Sequence, residues 1–220
     1  MMANTDFILF LPGTYYVKHL DFYTGLCESR VTVAVDGGYR FFDKTGLVPH
    51  VLIGDLDSLK IPRGRLSSQT AVVTYPADKD KTDLHLALDY CLQRRSRTID
   101  VVDPAAGELD HLLGNVMLLS YIRKQERADR GLNLRLVNNA CEIIPLLDAT
   151  LTLTDCAGHI LSVLPISDSI SLTCSGTDYD CRAVQIDRGH SRSLRNRVRE
   201  PQAHVRVDGQ AMVVHRFARK

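Results

Sequence analysis

The chain has 220 residues, enough for one large domain or two modest ones that each bury a core. Its 27 basic and 26 acidic residues nearly cancel to a formal charge of +1, so no global field draws it to nucleic acid or to an anionic membrane. The six cysteines (Cys27, Cys91, Cys141, Cys156, Cys174 and Cys181) include no C-x-x-C pair and read as reduced thiols of a cytoplasmic protein, while the apolar run at Phe7 to Leu11 is too short for a signal segment or a membrane span.

Asp6 to Leu11 reads as a first strand ending at Pro12-Gly13, followed by a segment from Tyr16 to Ser29 with helical character. Val31 to Val35 is a second, β-branched strand that stops at Asp36-Gly37-Gly38. Asp-Gly is also a hairpin signal, but Tyr39 to Lys44 does not read as a returning strand. A strand-to-helix loop is therefore expected, with glycines that let a phosphate or nucleotide approach the backbone.

Val51 to Ile53 is a third apolar run, and it ends abruptly at Gly54-Asp55-Leu56-Asp57-Ser58. Residues just beyond the carboxyl end of a parallel strand are where open α/β sheets hold ligands. Taken alone, these residues fit ordinary turn and cap chemistry as well as they fit two carboxylates converging on a hard cation such as Mg²⁺.

Val72 to Tyr75 gives a fourth strand, and Asp78 to Asp83 leads into a helix whose Leu84, Leu88, Cys91 and Leu92 keep helical spacing. Asp80 or Thr82 suits the cap of that helix. An EF-hand loop from Asp78 is excluded because its sixth position is Asp83 rather than glycine. Ile99 to Val102 is a fifth strand, running into Pro104 and then Gly107-Glu108-Leu109-Asp110-His111. The spacing of Leu109, Leu112, Leu113, Val116 and Leu119 predicts one buried helix face, with His111 and Asn115 sharing another.

Leu134 to Val137 is a sixth strand, after which helical periodicity gives way to short alternating runs. These fall at Ile143 to Leu147, Thr150 to Thr154, His159 to Ile166, Ser169 to Cys174, Cys181 to Ile186, His204 to Asp208 and Met212 to Phe217. The expected architecture is an α/β amino-terminal domain (1–141) with a mostly parallel, Rossmann-like sheet, then an all-β sandwich domain (142–220).

The ordered set Asp36-Gly37-Gly38, Gly54-Asp55-Leu56-Asp57-Ser58, Lys79-Asp80-Lys81-Thr82-Asp83 and Gly107-Glu108-Leu109-Asp110-His111 with Asn115 resembles the thiamin pyrophosphokinase family, whose motifs are DGG, GDxDS, KDxTD and GRxDHxxxN. The resemblance spans the whole chain. It implies transfer of the diphosphoryl group of ATP to the hydroxyl of thiamin, giving AMP and thiamin diphosphate, with Mg²⁺ and a homodimer whose active site is at or near the subunit interface. It also implies a Mg²⁺-phosphate set of Asp55, Asp57, Asp80 and Asp83, with Asp83 or Asp57 as acceptor of the alcohol proton. Asp36, Gly37, Gly38, Ser58, Lys79, Thr82, Asp110, His111 and Asn115 are implied nucleotide contacts. Clustered carboxylates make sense beside a polyphosphate only with a divalent cation between them.

Several positions depart from the family pattern. Glu108 stands where arginine is common, reversing a charge beside Asp110, and His85 stands where an acid is frequent. The chain has no tryptophan, so Tyr179 is the candidate aromatic for the thiamin rings, with Ser193 and Asn196 matching a thiamin-contacting turn that Arg195 interrupts. Arg188, Arg192, Arg195, Arg197 and Arg199 form a basic stretch that fits a solvated loop or a phosphate contact reaching a neighbouring subunit. A diphosphokinase for another primary alcohol, such as a hydroxymethyl pterin, shares the acidic motifs. A Mg²⁺-dependent phosphatase or nucleotide-sugar enzyme would use the Asp55/Asp57 pair but leaves Asp36-Gly37-Gly38 and Lys79 to Asp83 unexplained. A nucleic-acid module would spread its cations over a face, which this balanced chain does not do.

Overall fold

The computed structural model describes residues 6–54, 66–75, 80–104, 108–126 and 131–218. The chain separates into two compact units: Met1–Asn115 with Arg130–Asn139, and Val116–Asp129 with Ala140–Lys220.

The first unit carries β1 (Phe7–Phe10), α1 (Leu20–Gly25), β2 (Val31–Val35), α2 (Tyr39–Thr45), β3 (Val51–Gly54), β4 (Ala71–Thr74), α3 (Asp83–Gln93), β5 (Thr98–Val102), the start of α4 (Leu109–Gln125) and β6 (Asn133–Val137). The strands pair in parallel in the order β4-β3-β2-β1-β5-β6. The chain thus starts in the middle of the sheet, moves outward through β2, β3 and β4, and then returns to the other side of β1. That reversal opens a crevice beyond the carboxyl ends of β1 and β5, the usual ligand position in such sheets.

Continuous aliphatic and aromatic runs make β1, β2, β3 and β5 because both faces of a parallel sheet interior are covered, whereas the edge strand β4 is mostly exposed. All four residues of β1 are buried. Phe10 stacks on Phe41 of α2 with centroids 4.1 Å apart and meets Phe42 edge-on at 5.1 Å. The segment from Tyr16 forms only a single 3-10 turn at Val17–His19 and the six-residue α1, shorter than its sequence suggested.

The second unit contains β7 (Cys141–Thr154), β8 (Ile160–Pro165), β9 (Ser169–Ser175), β10 (Cys181–Asp187), β11 (Asn196–Arg197) and β12 (Gln202–Arg216), all paired antiparallel. Two long strands replace the four short ones expected at its ends. The break expected between Asp208 and Met212 is a β-bulge: Gly209 (φ 109°) donates its N–H to Asp148 Oδ1 at 2.7 Å, and β12 continues past it against β7. Before the bulge β12 also pairs with β9, and after it with β8. Leu146, Leu153, Ile170, Val205 and Val213 are among the buried residues of this unit's core.

Of the face expected along α4, Leu119 is buried and Leu112 and Val116 are half-buried, but its amino-terminal leucines are not covered. Leu109 and Leu113 are 69% and 56% exposed, and the buried residues are Leu119, Ser120 and Ile122. The carboxyl half is anchored by polar groups: Gln210 Nε2 donates to Ser120 O at 2.7 Å and lies 2.9 Å from Ser120 Oγ, and Arg123 Nε donates to Pro145 O at 3.2 Å. Among the described residues no helix is long and apolar enough to cross a membrane.

Candidate functional site

The crevice of the first unit is a cleft of about 550 Å³. Leu11, Pro12 and Gly13 enter it from the end of β1, Val35 and Asp36 from the end of β2, and Thr82, Asp83 and Leu84 from the start of α3. Asp103, just past β5, and Glu108, His111, Leu112 and Asn115 complete it. Asp36, Asp83, Asp103 and Glu108 therefore face one space, and no lysine or arginine is among the described residues lining it. Such a lining accepts cations and hydrogen-bond donors and repels a bare polyphosphate.

Asp36 sits in the left-handed region with φ 43°, an uncommon and strained conformation for a non-glycine residue. The chain passes from β2 into α2 through the 3-10 turn Asp36–Gly38. Gly38 is there because of close packing: a Cβ would stand 1.8 Å from the carbonyl oxygen of Phe10. A Cβ on Gly54, at the end of β3, would lie 3.2 Å from Asp36 Cα, so the glycine that closes this apolar run lets β3 approach Asp36 closely. Beneath β1, the buried Tyr15 donates its hydroxyl to Leu11 O at 2.8 Å. Burial, chiefly, pushes that phenol above its usual range and keeps it a neutral donor.

Thr82 is the cap of α3, its hydroxyl accepting the N–H of His85 at 3.3 Å. Cap and cleft lining thus coincide at Thr82, and Asp83 follows on the first helical turn. Asp80 is exposed ahead of the helix, where Lys81 pairs with Asp89 at 2.6 Å. Asp55, Asp57, Ser58 and Lys79 lie outside the described residues.

On α4, Asp110 is exposed and its Oδ1 accepts the N–H of His111 at 2.9 Å. Glu108, Asp110 and His111 bring ligand atoms within 4.8 Å of one another, all exposed. His111 Nε2 is 3.6 Å from Glu108 Oε2. Asn115 donates from Nδ2 to Asp103 Oδ2 at 3.3 Å. Asp103, 7% exposed, belongs to no motif singled out in the sequence. The available signal was its place directly after the fifth apolar strand, where Asp36 and Asp55 follow the second and third.

The remaining expected contacts lie in the second unit. Tyr179 is 76% exposed. Asn196 brackets its backbone, accepting the Tyr179 N–H at 3.0 Å and donating to Tyr179 O at 2.9 Å, and it also donates to Thr177 Oγ1 at 2.9 Å. Ser193 is buried and donates its hydroxyl to Val163 O at 2.6 Å. Within the basic stretch, Arg188 pairs with Asp168 at 2.7 Å and Arg199 with Asp178, so two of these arginines are tied to carboxylates of their own unit.

Residues 24–130 match the family model described as thiamin pyrophosphokinase, catalytic domain. The chain is 28% identical over 174 residues to the thiamine pyrophosphokinase of Bacillus subtilis (strain 168), covering 77% of this chain and 78% of that one. The crystal structure of thiamine pyrophosphokinase from Bacillus subtilis superposes with a TM-score of 0.81 at 24% identity, over 98% of this chain and 100% of the other. Thiamin pyrophosphokinase from Candida albicans gives 0.74 at 15% identity, over 97% and 90%.

Proposed function

We propose that the chain is a member of the thiamin pyrophosphokinase family, to which its matches point, and that it transfers the diphosphoryl group of ATP to the hydroxyl of thiamin, yielding thiamin diphosphate and AMP. The observation that carries this reading is the convergence of Asp36, Thr82, Asp83, His111 and Asn115, drawn from three separate sequence motifs, on one cleft at the switch point of a parallel sheet. On this reading the first unit is Rossmann-like and the second a sandwich; the exchange of β9 for β8 along one edge of β12, with β7 kept on the other, supports the latter.

The donors fit a hard divalent cation. Carboxylates line the cleft without a lysine or arginine among the described lining residues, and oxygen donors are what Mg²⁺ prefers. Asp83, with Asp55, Asp57 and Asp80 by sequence, would hold it. When bound, Mg²⁺ supplies the positive charge that lets phosphate oxygens lie among these acids. The strained backbone at Asp36 and the capped start of α3 fix carboxylates before substrate arrives, which suits a reaction governed by positioning and charge neutralisation. Asp83 or Asp57 takes the alcohol proton. Tyr179, its backbone clamped by Asn196, offers an exposed ring to thiamin, and Ser193 ties the neighbouring loop to Val163.

A homodimer fits the same reading. Leu109, Leu113, Met117 and Tyr121 recur every four residues along α4, all at least half exposed, and a second copy would cover them. Light scattering at the 24.6 kDa monomer mass would refute the dimer. The six free cysteines suit a reducing cytoplasm.

Purified protein supplied with ATP, Mg²⁺ and thiamin is expected to release AMP and thiamin diphosphate in equal amounts. Formation of ADP, or nucleotide turnover independent of thiamin, defeats the proposal.

A further inference from the structure

We propose that Asp103 is a specificity-determining residue that accepts hydrogen bonds from the ribose hydroxyls of the nucleotide. The inference rests on the reading of the cleft as an ATP site. Asp103 stands at the carboxyl end of β5, across from Leu11-Pro12-Gly13 at the end of β1, and these two neighbouring strands flank the point where the sheet order reverses. The two ends pack tightly: a Cβ on Gly13 would come within 2.4 Å of Pro104 Cγ. Asp103 is therefore mounted on a rigid wall, and Asn115 on α4 fixes its carboxylate from the side by donating to Oδ2.

A carboxylate can face the triphosphate only with a cation between them, and Asp103 belongs to none of the motifs that carry the Mg²⁺ set. The part of ATP that offers donors to a carboxylate is the nucleoside, and vicinal hydroxyls match the two oxygens of one carboxyl group. Leu11, Pro12 and Leu112 supply apolar surface of the kind that flanks a sugar and base. This orientation places the nucleoside against β1 and β5 and directs the phosphates toward Asp83 at the start of α3.

The contact exists in the ground state as well as the transition state, so its loss raises KM for ATP and leaves kcat nearly unchanged. The test uses full-length wild-type protein, Asp103→Ala and Asp103→Asn, with AMP, 2′-deoxyAMP and 3′-deoxyAMP titrated calorimetrically in the absence of thiamin. Wild type is expected to bind AMP roughly tenfold to a hundredfold more tightly than the analogue lacking the contacted hydroxyl, the scale of a hydrogen bond to a charged group. Asp103→Ala should bind AMP and that analogue alike. Circular dichroism establishes that the variants fold, and if the alanine variant does not, Asp103→Asn, which keeps the side-chain size and one uncharged acceptor oxygen, should discriminate less than wild type. Equal weakening of AMP and both deoxy analogues by the substitution overturns the assignment. Thiamin-dependent AMP release by wild type, measured separately, tests the proposed reaction: if wild type turns over but shows no discrimination between AMP and its deoxy analogues, only the role of Asp103 is lost.

Discussion

Asp100 of β5 and Arg135 of β6 are register partners in the parallel sheet, and Arg135 donates to both carboxylate oxygens, Nε to Oδ1 at 2.8 Å and Nη2 to Oδ2 at 2.7 Å. Arg30, just before β2, adds a further bond to Oδ2. The Asp100 side chain is 2% exposed, so this is a charge placed inside the first unit and held by two guanidinium groups. Burial pushes its carboxyl up, but the bonds and charges of Arg135 and Arg30 outweigh burial and leave it below the usual carboxylate range.

Asp100→Asn is expected to destabilise the protein by about 3 kcal/mol in urea unfolding, because it removes the buried counter-charge of two half-buried arginines. The carboxyl is more acidic folded than unfolded, so its stabilisation is present above the unfolded value of about 4 and lost as pH falls through the lower folded value. A variant within about 0.5 kcal/mol of wild type, the ordinary range for surface changes, would show the triad to be dispensable.

Gly38→Ala should disrupt the first unit far more than Gly46→Ala. At Gly38 a methyl would collide with the backbone oxygen of Phe10 at 1.8 Å, and only a shift of β1 or of the Asp36–Gly38 turn relieves it. Gly46 has φ 72° and open space around the missing Cβ, so its cost is the left-handed backbone alone, roughly 1 kcal/mol. Thermal unfolding that ranks the two the other way would refute the close-packing account.

Much of this was legible in the sequence, for reasons that differ between elements. The parallel strands announce themselves because burial on both faces demands uninterrupted runs such as Phe7 to Phe10 and Val31 to Val35. The acids beside glycine at strand ends were equally visible, whereas Asp103 shares their position after a strand but adjoins Pro104, so its signal is weaker. Leu109 and Leu113 of α4 misled, while Leu119 did not, because periodicity reports that a face is apolar, not which stretch of it is covered. The run from His204 to Phe217 was split in two because a bulge such as that at Gly209 interrupts alternation as a turn does.

Asp83→Asn and Thr82→Ala separate chemistry from capping at the start of α3. Loss of the Thr82 hydroxyl removes the acceptor for the His85 N–H and should cost about 1 kcal/mol of stability. Asp83→Asn should leave melting nearly unchanged and lower kcat more than a hundredfold, since charge neutralisation at a transferring phosphoryl group is worth several kcal/mol. Near-normal turnover in Asp83→Asn, measured as AMP release, would reduce this acid to a helix-terminus residue.

In the second unit, Glu142, His215 and His159 form a chain of hydrogen bonds: Glu142 Oε1 to His215 Nδ1 at 2.8 Å, and His215 Nε2 to His159 Nδ1 at 2.7 Å. Glu142 and His215 are buried cross-strand partners, and the ring of Phe217 packs edge-on against both imidazoles. With the carboxylate accepting from His215 Nδ1, His215 Nε2 becomes the acceptor and His159 must donate from Nδ1, leaving its Nε2 as the basic nitrogen. Burial, with the neighbouring His215, holds the His159 imidazole below the usual histidine range, while Glu142 opposes this. A histidine less basic folded than unfolded takes up its proton more readily in the unfolded chain. Stability is therefore fully present above the unfolded value of about 6.5 and declines as pH falls through that value toward the lower folded one. His159→Gln keeps a donor for His215 Nε2 without a titrating group, so its melting temperature should fall less steeply than wild type between roughly pH 7 and pH 5. A proton NMR titration in which His159 takes up its proton at or above about pH 6.5 would contradict this assignment.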